Sequence, residues 1–291
     1  MTSGTTRDPV KRVSVLSTGT VDIHPEHALG TRKPLLWWVL TSRRWLPGRP
    51  INVYVIEHSL GLVLFDTGQD RASVTDSDYF PAGFNGLFYR RLARFNIGPA
   101  DTLTEQMSRL GYSIADVQKV VLSHLHQDHI GGLRELLHAD IILSDEEWAD
   151  MLKPNPEGRG ILRKHIDIPG LKWNRVSFAP TDNPALAPFT ESIDLMGDGS
   201  LVLLPTVGHT PGSLSLLVRR KEGMPLLMVG DLTYASELLE QGQISGVGNK
   251  AQLRASTAKV NALKAKLPGL TLLPAHDPGA AERLQAANVQ C

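Results

Sequence analysis

The run Ser123-His124-Leu125-His126-Gln127-Asp128-His129-Ile130-Gly131-Gly132 constrains this chain more than any other segment. Three histidines and an aspartate fall within six residues. They follow residues 117–122, a β-branched apolar stretch that reads as a buried strand. Imidazole and carboxylate are the donors that zinc and related divalent ions favour. A solvated loop with no ion could carry any one of these residues, but four such donors in one loop point to a metal site. His124 and His126 are two positions apart, so in an extended segment both rings project to one side. Asp128 and His129 are adjacent and can serve a second position. Gly131 and Gly132 are expected to turn the backbone tightly into a following helix. The loop leaving a strand is also where layered α/β folds place their chemistry.

The rest of the chain alternates apolar runs with helical patterns. Residues 12–17 read as a strand, and 51–57 with 62–66 as a hairpin turning at 58–61. Residues 104–110 form a short helix closed by Gly111. Residues 133–138 read as helical and 140–143 as a strand. Ser144 then caps a helix over 145–152, with Glu147 completing a capping box. Apolar runs at 201–205, 214–218 and 226–229 predict three strands. Helical periodicity spans 251–267, followed by a short strand at 271–273 and a helix over 280–287. Two regions resist this pattern. Residues 24–50 hold Trp37, Trp38 and Trp45 among prolines and basic residues. An insert at about 70–100 holds Tyr79, Phe80, Phe84, Phe88, Tyr89 and Phe95. Both read as cover for core edges, or as a wall for an apolar substrate or a subunit contact.

All 291 residues read as one domain of layered α/β type. Lys plus Arg equals Asp plus Glu, 30 against 30, which gives a nucleic-acid partner no support. No apolar run is long enough to span a bilayer, and residues 1–12 lack a signal peptide's apolar stretch. Cys291 is the only cysteine, which excludes an internal disulfide or a thiolate cage. A cytoplasmic protein is the expectation, with a homodimer compatible with the sequence.

Four donors in one loop do not complete a binuclear site. Three more stand at the ends of later apolar runs: His209 after 202–205, Asp231 after 226–229 and His276 after 272–273. Each alone is weak, and their recurrence in one context is strong. His24, His27, His58, His138 and His165 lie in polar or turn-like contexts and are expected at the surface.

The pattern His124-x-His126-x-Asp128-His129, then His209, Asp231 and His276, resembles the metallo-β-lactamase superfamily. Leu64-Phe65-Asp66-Thr67-Gly68 and Gly208-His209-Thr210-Pro211-Gly212 resemble two further motifs of that superfamily. The matches run from about residue 51 to 276. The resemblance implies an αβ/βα sandwich, two mixed β-sheets with external helices. Asp231 resembles the bridging aspartate that the superfamily's β-lactamases lack. Thioesterases of the glyoxalase II type have it but add a C-terminal helical domain, and only fifteen residues follow His276 here. Tyr234, three residues after Asp231, resembles the substrate-contacting tyrosine of the N-acyl homoserine lactonases.

The resemblance thus implies a lactone hydrolase acting in quorum quenching. His124, His126 and His209 would hold one divalent ion, and Asp128, His129 and His276 a second, with Asp231 bridging. Tyr234 would polarise the lactone carbonyl, Asp128 would carry the proton, and Asp66 would orient a ligand histidine. Zinc suits this donor set, and iron, cobalt and manganese are compatible with it. A thioester, phosphodiester or other lactone substrate on the same centre is the alternative, and a purely structural metal site is a third reading.

Overall fold

Residues 201–205 show why the apolar runs are continuous. In a strand, alternate side chains face opposite ways. Leu201 and Leu203 enter one buried cluster, and Val202 and Leu204 enter another. A strand covered on both faces needs no polar alternation. The computed structural model describes residues 8–289, so Cys291 and the first residues of the polar N-terminal stretch lie outside it.

The strands are β1 (Val10–Ile23), β2 (Leu46–His58), β3 (Gly61–Phe65), β4 (Ala93–Asn96), β5 (Val117–Val121), β6 (Asp140–Ser144), β7 (Lys172–Val176), β8 (Ala179–Pro180), β9 (Glu191–Asp194), β10 (Leu201–Pro205), β11 (Leu214–Val218), β12 (Leu226–Gly230) and β13 (Thr271–Pro274). Seven form one sheet in the order β4-β1-β2-β3-β5-β6-β7, and six form a second in the order β13-β12-β11-β10-β9-β8. Both are mixed: β3, β5, β6 and β7 run parallel, as do β12 and β13, and the other pairs are antiparallel.

The helices are α1 (Pro25–Leu29), α2 (Leu35–Thr41), α3 (Ala72–Thr75), α4 (Gly83–Leu92), α5 (Leu103–Arg109), α6 (Asp145–Met151), α7 (Ser236–Glu240), α8 (Lys250–Lys266) and α9 (Ala280–Val289). Tyr54, Ile56, Val63, Phe65, Val121 and Ile142 of the first sheet meet Leu203, Leu214, Leu216, Leu226 and Met228 of the second. On the outer face of the first sheet, Leu64, Val120 and Ile141 pack with Met107 of α5. On the outer face of the second, Val202, Leu217 and Leu227 pack with Leu253, Val260 and Leu263 of α8. Helix, sheet, sheet and helix are therefore stacked, as the expected sandwich requires. No helix among the described residues is long and apolar enough to cross a membrane.

Several local expectations need correction. Residues 133–138 hold only a 3-10 turn at Leu133–Glu135. Gly131 and Gly132 do not have positive φ. A Cβ on Gly131 would lie 2.1 Å from Asp70 N, and one on Gly132 would lie 2.4 Å from Leu103 Cδ2. The backbone turns there as expected, but it is the close approach of Asp70 and Leu103 that requires glycine. The insert supplies α3, α4 and the edge strand β4, which pairs with β1. His24, His27 and His58 are buried, contrary to expectation. His24 sets its two ring nitrogens 2.7 Å from the Arg44 carbonyl and 2.8 Å from the Arg91 carbonyl. His58 Nε2 lies 3.1 Å from Ser200 Oγ and 3.2 Å from Asp198. Local polarity concealed these tertiary partners.

Candidate metal centre

The seven predicted donors come together where strands end. His124, His126, Asp128 and His129 lie on the loop after β5, His209 between β10 and β11, Asp231 directly after β12, and His276 after β13. Ligand atoms converge within 4.8 Å in three groups: His124 with His126 and His209; His124 with His129 and Asp231; Asp128 with His129 and His276.

Hydrogen bonds behind four rings set which nitrogen faces the cluster. Ser123 Oγ donates to Asp66 Oδ2 at 2.9 Å, so it accepts from His124 Nδ1 at 2.9 Å, which leaves His124 Nε2 free. His129 Nδ1 donates to Asp66 Oδ2 at 2.8 Å. His276 Nδ1 donates to the Pro50 carbonyl at 2.9 Å, and His126 Nε2 to that of Arg159 at 3.1 Å. The nitrogens left facing the cluster are then Nε2 of His124, His129 and His276, and Nδ1 of His126. His126 Nδ1 faces His209 Nε2 at 2.9 Å. The Nε2 atoms of His124 and His129 and the Oδ1 atom of Asp231 are buried without a hydrogen-bond partner. Buried polar atoms are rarely left so. A divalent cation is what such a converging donor set fits, and the cluster passes that test on its own geometry.

Asp231 sits between the groups. Its Oδ1 lies 3.4 Å from His129 Nε2 and 3.3 Å from His276 Nε2, and its Oδ2 lies 3.5 Å from His209 Nε2. Asp128 reaches His276 Nε2 at 3.4 Å. Burial, with His129, His126 and His209 nearby, holds His124 well below the usual imidazole value. Burial alone would also lower His129, yet Asp66 and Asp231 overcome it and hold the ring well above that value. Burial pushes Asp128 up, but His276 and His129 win and bring it to about 2.

Asp66 occupies a left-handed backbone position with φ 63° and accepts from Ser123 N at 2.7 Å as well as from His129. It fixes one ligand loop to the end of β3, the orienting role expected of it. Gly160 is required beneath His126, because a Cβ there would lie 2.5 Å from the ring. Gly230, with φ 52°, lets the chain turn into Asp231 against Ser123.

Sequence reasoning missed three supporting residues. Ser144 caps α6 as predicted, accepting from Glu147 N at 3.1 Å. The Glu147 carboxylate does not return to the cap. It accepts from Leu125 N at 3.0 Å, Thr210 Oγ1 at 2.6 Å and Gly212 N at 3.0 Å, and so ties the His124/His126 loop to the His209 loop. Arg49 donates to the carbonyls of Tyr234 at 2.6 Å and His276 at 3.2 Å. His27 lies 2.9 Å from the Tyr234 hydroxyl, which donates to Asp231 Oδ2 at 2.8 Å. No local sequence signal marks Arg49 or His27, since their partners lie 185 and 207 residues away.

A cavity of 320 Å³ opens on the cluster. Its walls include Val21 and Ile23 of β1, Leu35 of α2, Phe88 and Leu92 of α4, and Ala93 and Phe95 of β4. His126, Asp128, His209, Asp231, Tyr234 and His276 also line it. Of the aromatics in the insert, Phe88, Tyr89 and Phe95 line this space, whereas Tyr79 is buried away from it and Phe84 is exposed.

The family model of the metallo-beta-lactamase superfamily matches residues 46–276. N-acyl homoserine lactonase AttM of Agrobacterium fabrum is 30% identical over 233 residues, covering 79% of this chain and 83% of the relative. N-acyl homoserine lactonase AiiA of Bacillus thuringiensis subsp. kurstaki is 26% identical over 221 residues, covering 73% and 77%. In three dimensions, an N-acyl homoserine lactone hydrolase with N-hexanoyl-L-homoserine at its catalytic metal centre aligns at TM-score 0.74. That alignment covers 94% of this chain and 96% of the other at 20% identity. The dizinc quorum-quenching lactonase AidC aligns at TM-score 0.61 with 16% identity, over 94% and 91% of the two chains. Ligand motifs, sandwich and family match agree: this chain belongs to the metallo-beta-lactamase superfamily.

Proposed function

We propose that this chain is a metal-dependent lactonase that opens the ring of N-acyl homoserine lactones, with two zinc ions as its cofactor. The observation that carries the reading is one cavity lined both by an apolar wall and by His126, Asp128, His209, Asp231 and His276 of the seven-donor cluster, with Tyr234 beside them. Such a space suits an apolar acyl chain attached to a small polar ring. The AttM relatives act as lactonases by name, which supports the same substrate.

His124, His126 and His209 would hold one ion, and Asp128, His129 and His276 the other, with the Asp231 oxygens shared between them. Two such ions supply Lewis acidity and lower the pKa of a nearby water. The protein's own groups do the rest. Val21, Ile23, Phe88, Leu92 and Phe95 hold the acyl chain. The Tyr234 hydroxyl donates to the carbonyl oxygen as negative charge develops on it. Asp128 has a side chain 17% exposed and is a carboxylate at neutral pH, so it can take the proton of the attacking water. As the ring C–O bond breaks, Asp128 passes that proton to the departing alkoxide. The product is a hydroxy acid, ionised at neutral pH.

Zinc-loaded protein is expected to open acyl-homoserine lactones with C6 to C12 chains, releasing one proton per turnover. A panel that includes a thioester and a phosphodiester tests the alternatives. Failure to open any lactone, with hydrolysis of another class, overturns the assignment.

A further inference from the structure

His27 is buried between Trp38 and Tyr234, with ring centroids 5.9 and 5.0 Å away. Its Nε2 lies 2.9 Å from Tyr234 Oη. The phenol has one hydrogen and two neighbours within reach. Asp231 Oδ2, at 2.8 Å, is the oxygen to which the phenol donates. The phenol hydrogen therefore goes to Asp231, and the proton between Oη and His27 must sit on Nε2. The other ring nitrogen, Nδ1, is buried without a partner, consistent with a bare lone pair there.

We infer that His27 is the positioning residue of Tyr234: its Nε2–H donates to the phenol oxygen and turns the phenol hydrogen toward Asp231 and the cavity. Accepting this bond fills the side of Oη that faces α1, so the hydroxyl can donate only toward the donor cluster. Hydrogen bonds in such a chain polarise one another, which strengthens the phenol as a donor. Stacking of Tyr234 on His276, at 5.6 Å and 11°, holds the ring plane. Rotation about the C–O bond is the remaining freedom, and His27 removes it. The consequence for turnover rests on the lactonase reading, whereas the hydrogen-bond assignment does not.

Two measurements test the inference. The first uses ¹⁵N-histidine NMR and needs no activity. The His27 signal, identified by its loss in His27→Leu, should show a neutral ring protonated at Nε2. An Nδ1-protonated or doubly protonated ring overturns the inference. The second is kinetic, on variants with wild-type metal content. His27→Leu should lower kcat by about tenfold with KM little changed, the worth of one net hydrogen bond. His27→Gln, whose amide N–H can reach Oη, should recover much of that loss. In a Tyr234→Phe background His27→Leu should have no further effect on kcat. Equal losses with and without the phenol hydroxyl would show a merely structural role. If no lactone is opened at all, the proposed function falls, and the NMR result still decides the His27 assignment.

Discussion

Replacing Glu147 with Ala strands two backbone donors. Leu125 N–H and Gly212 N–H lose their acceptor, while Thr210 Oγ1 can still bond Ser213 Oγ at 2.6 Å. A buried donor left unpaired costs roughly 1–3 kcal/mol, so the two together cost roughly 2–6 kcal/mol. Removing the carboxylate also removes its burial, which pushes its pKa up despite three hydrogen bonds, and this offsets part of the loss. A net destabilisation of about 3 kcal/mol follows, or about 5 °C in Tm for a chain of this size. Leu125 lies between two proposed ligands, His124 and His126, and Gly212 is three residues from a third, His209, so metal affinity should fall about 10- to 100-fold as well. Thermal melts of the metal-free variant and chelator competition on the loaded one measure the two effects separately. Glu147→Gln keeps one acceptor oxygen and should lose about half as much. Unchanged melting together with unchanged metal affinity would refute the role of Glu147 as the tie between the loops.

Three further outcomes follow from the site. Asp66→Asn leaves one acceptor oxygen where Ser123 N and His129 Nδ1 use two, and should weaken zinc affinity about 10- to 100-fold, read by competition with a chromophoric chelator; an unchanged affinity contradicts it. Metal loading should release protons at pH 7, because His129 and His276 lie above their ordinary value when Asp66, Asp231 and Asp128 outweigh burial. The apparent affinity then rises with pH through those raised values and falls on acidification. Calorimetry in buffers of different ionisation enthalpy should detect the release, and its absence would be inconsistent with these protonation states. Ala93→Trp narrows the apolar wall and should raise KM for a C12 lactone at least several-fold more than for a C6 lactone; equal changes would place the acyl chain elsewhere.

The candidate metal ligands were legible because each stands at the end of an apolar run, where the strand cannot continue and the side chain is left at the sheet edge. His209, Asp231 and His276 share that context, and the fold brings their strand ends beside the loop after β5. The stacking order was legible only through family resemblance, since periodicity alone gives a layered α/β chain. The supporting residues were not legible. His27 lies on a five-residue helix whose docking against Tyr234 depends on the whole sandwich. Glu147 shows the spacing of a capping box, and only the distant His209 loop diverts its carboxylate. Strands β7 to β9, at the margins of the two sheets, carry no continuous apolar run, because much of their surface faces water. Asp277 shares the strand-end context of His276, yet it accepts from Ser236 N at 2.7 Å and Gly279 N at 2.9 Å and pairs with Arg283. Its removal should therefore lower stability.

Asp231 tests the central claim most directly. Two dications about 4 Å apart repel by about 16 kcal/mol at an effective dielectric of 20, four times the unit-charge value. A carboxylate with one oxygen toward each donor group offsets much of that repulsion. The measurement is zinc content by elemental analysis of purified Asp231→Ala, beside Asp167→Ala as an exposed control. Asp231→Ala should hold markedly less than two ions per chain and lose nearly all lactonase activity, with its fold intact by circular dichroism and the control unaffected. Two tightly held ions and intact activity in Asp231→Ala would contradict the shared centre.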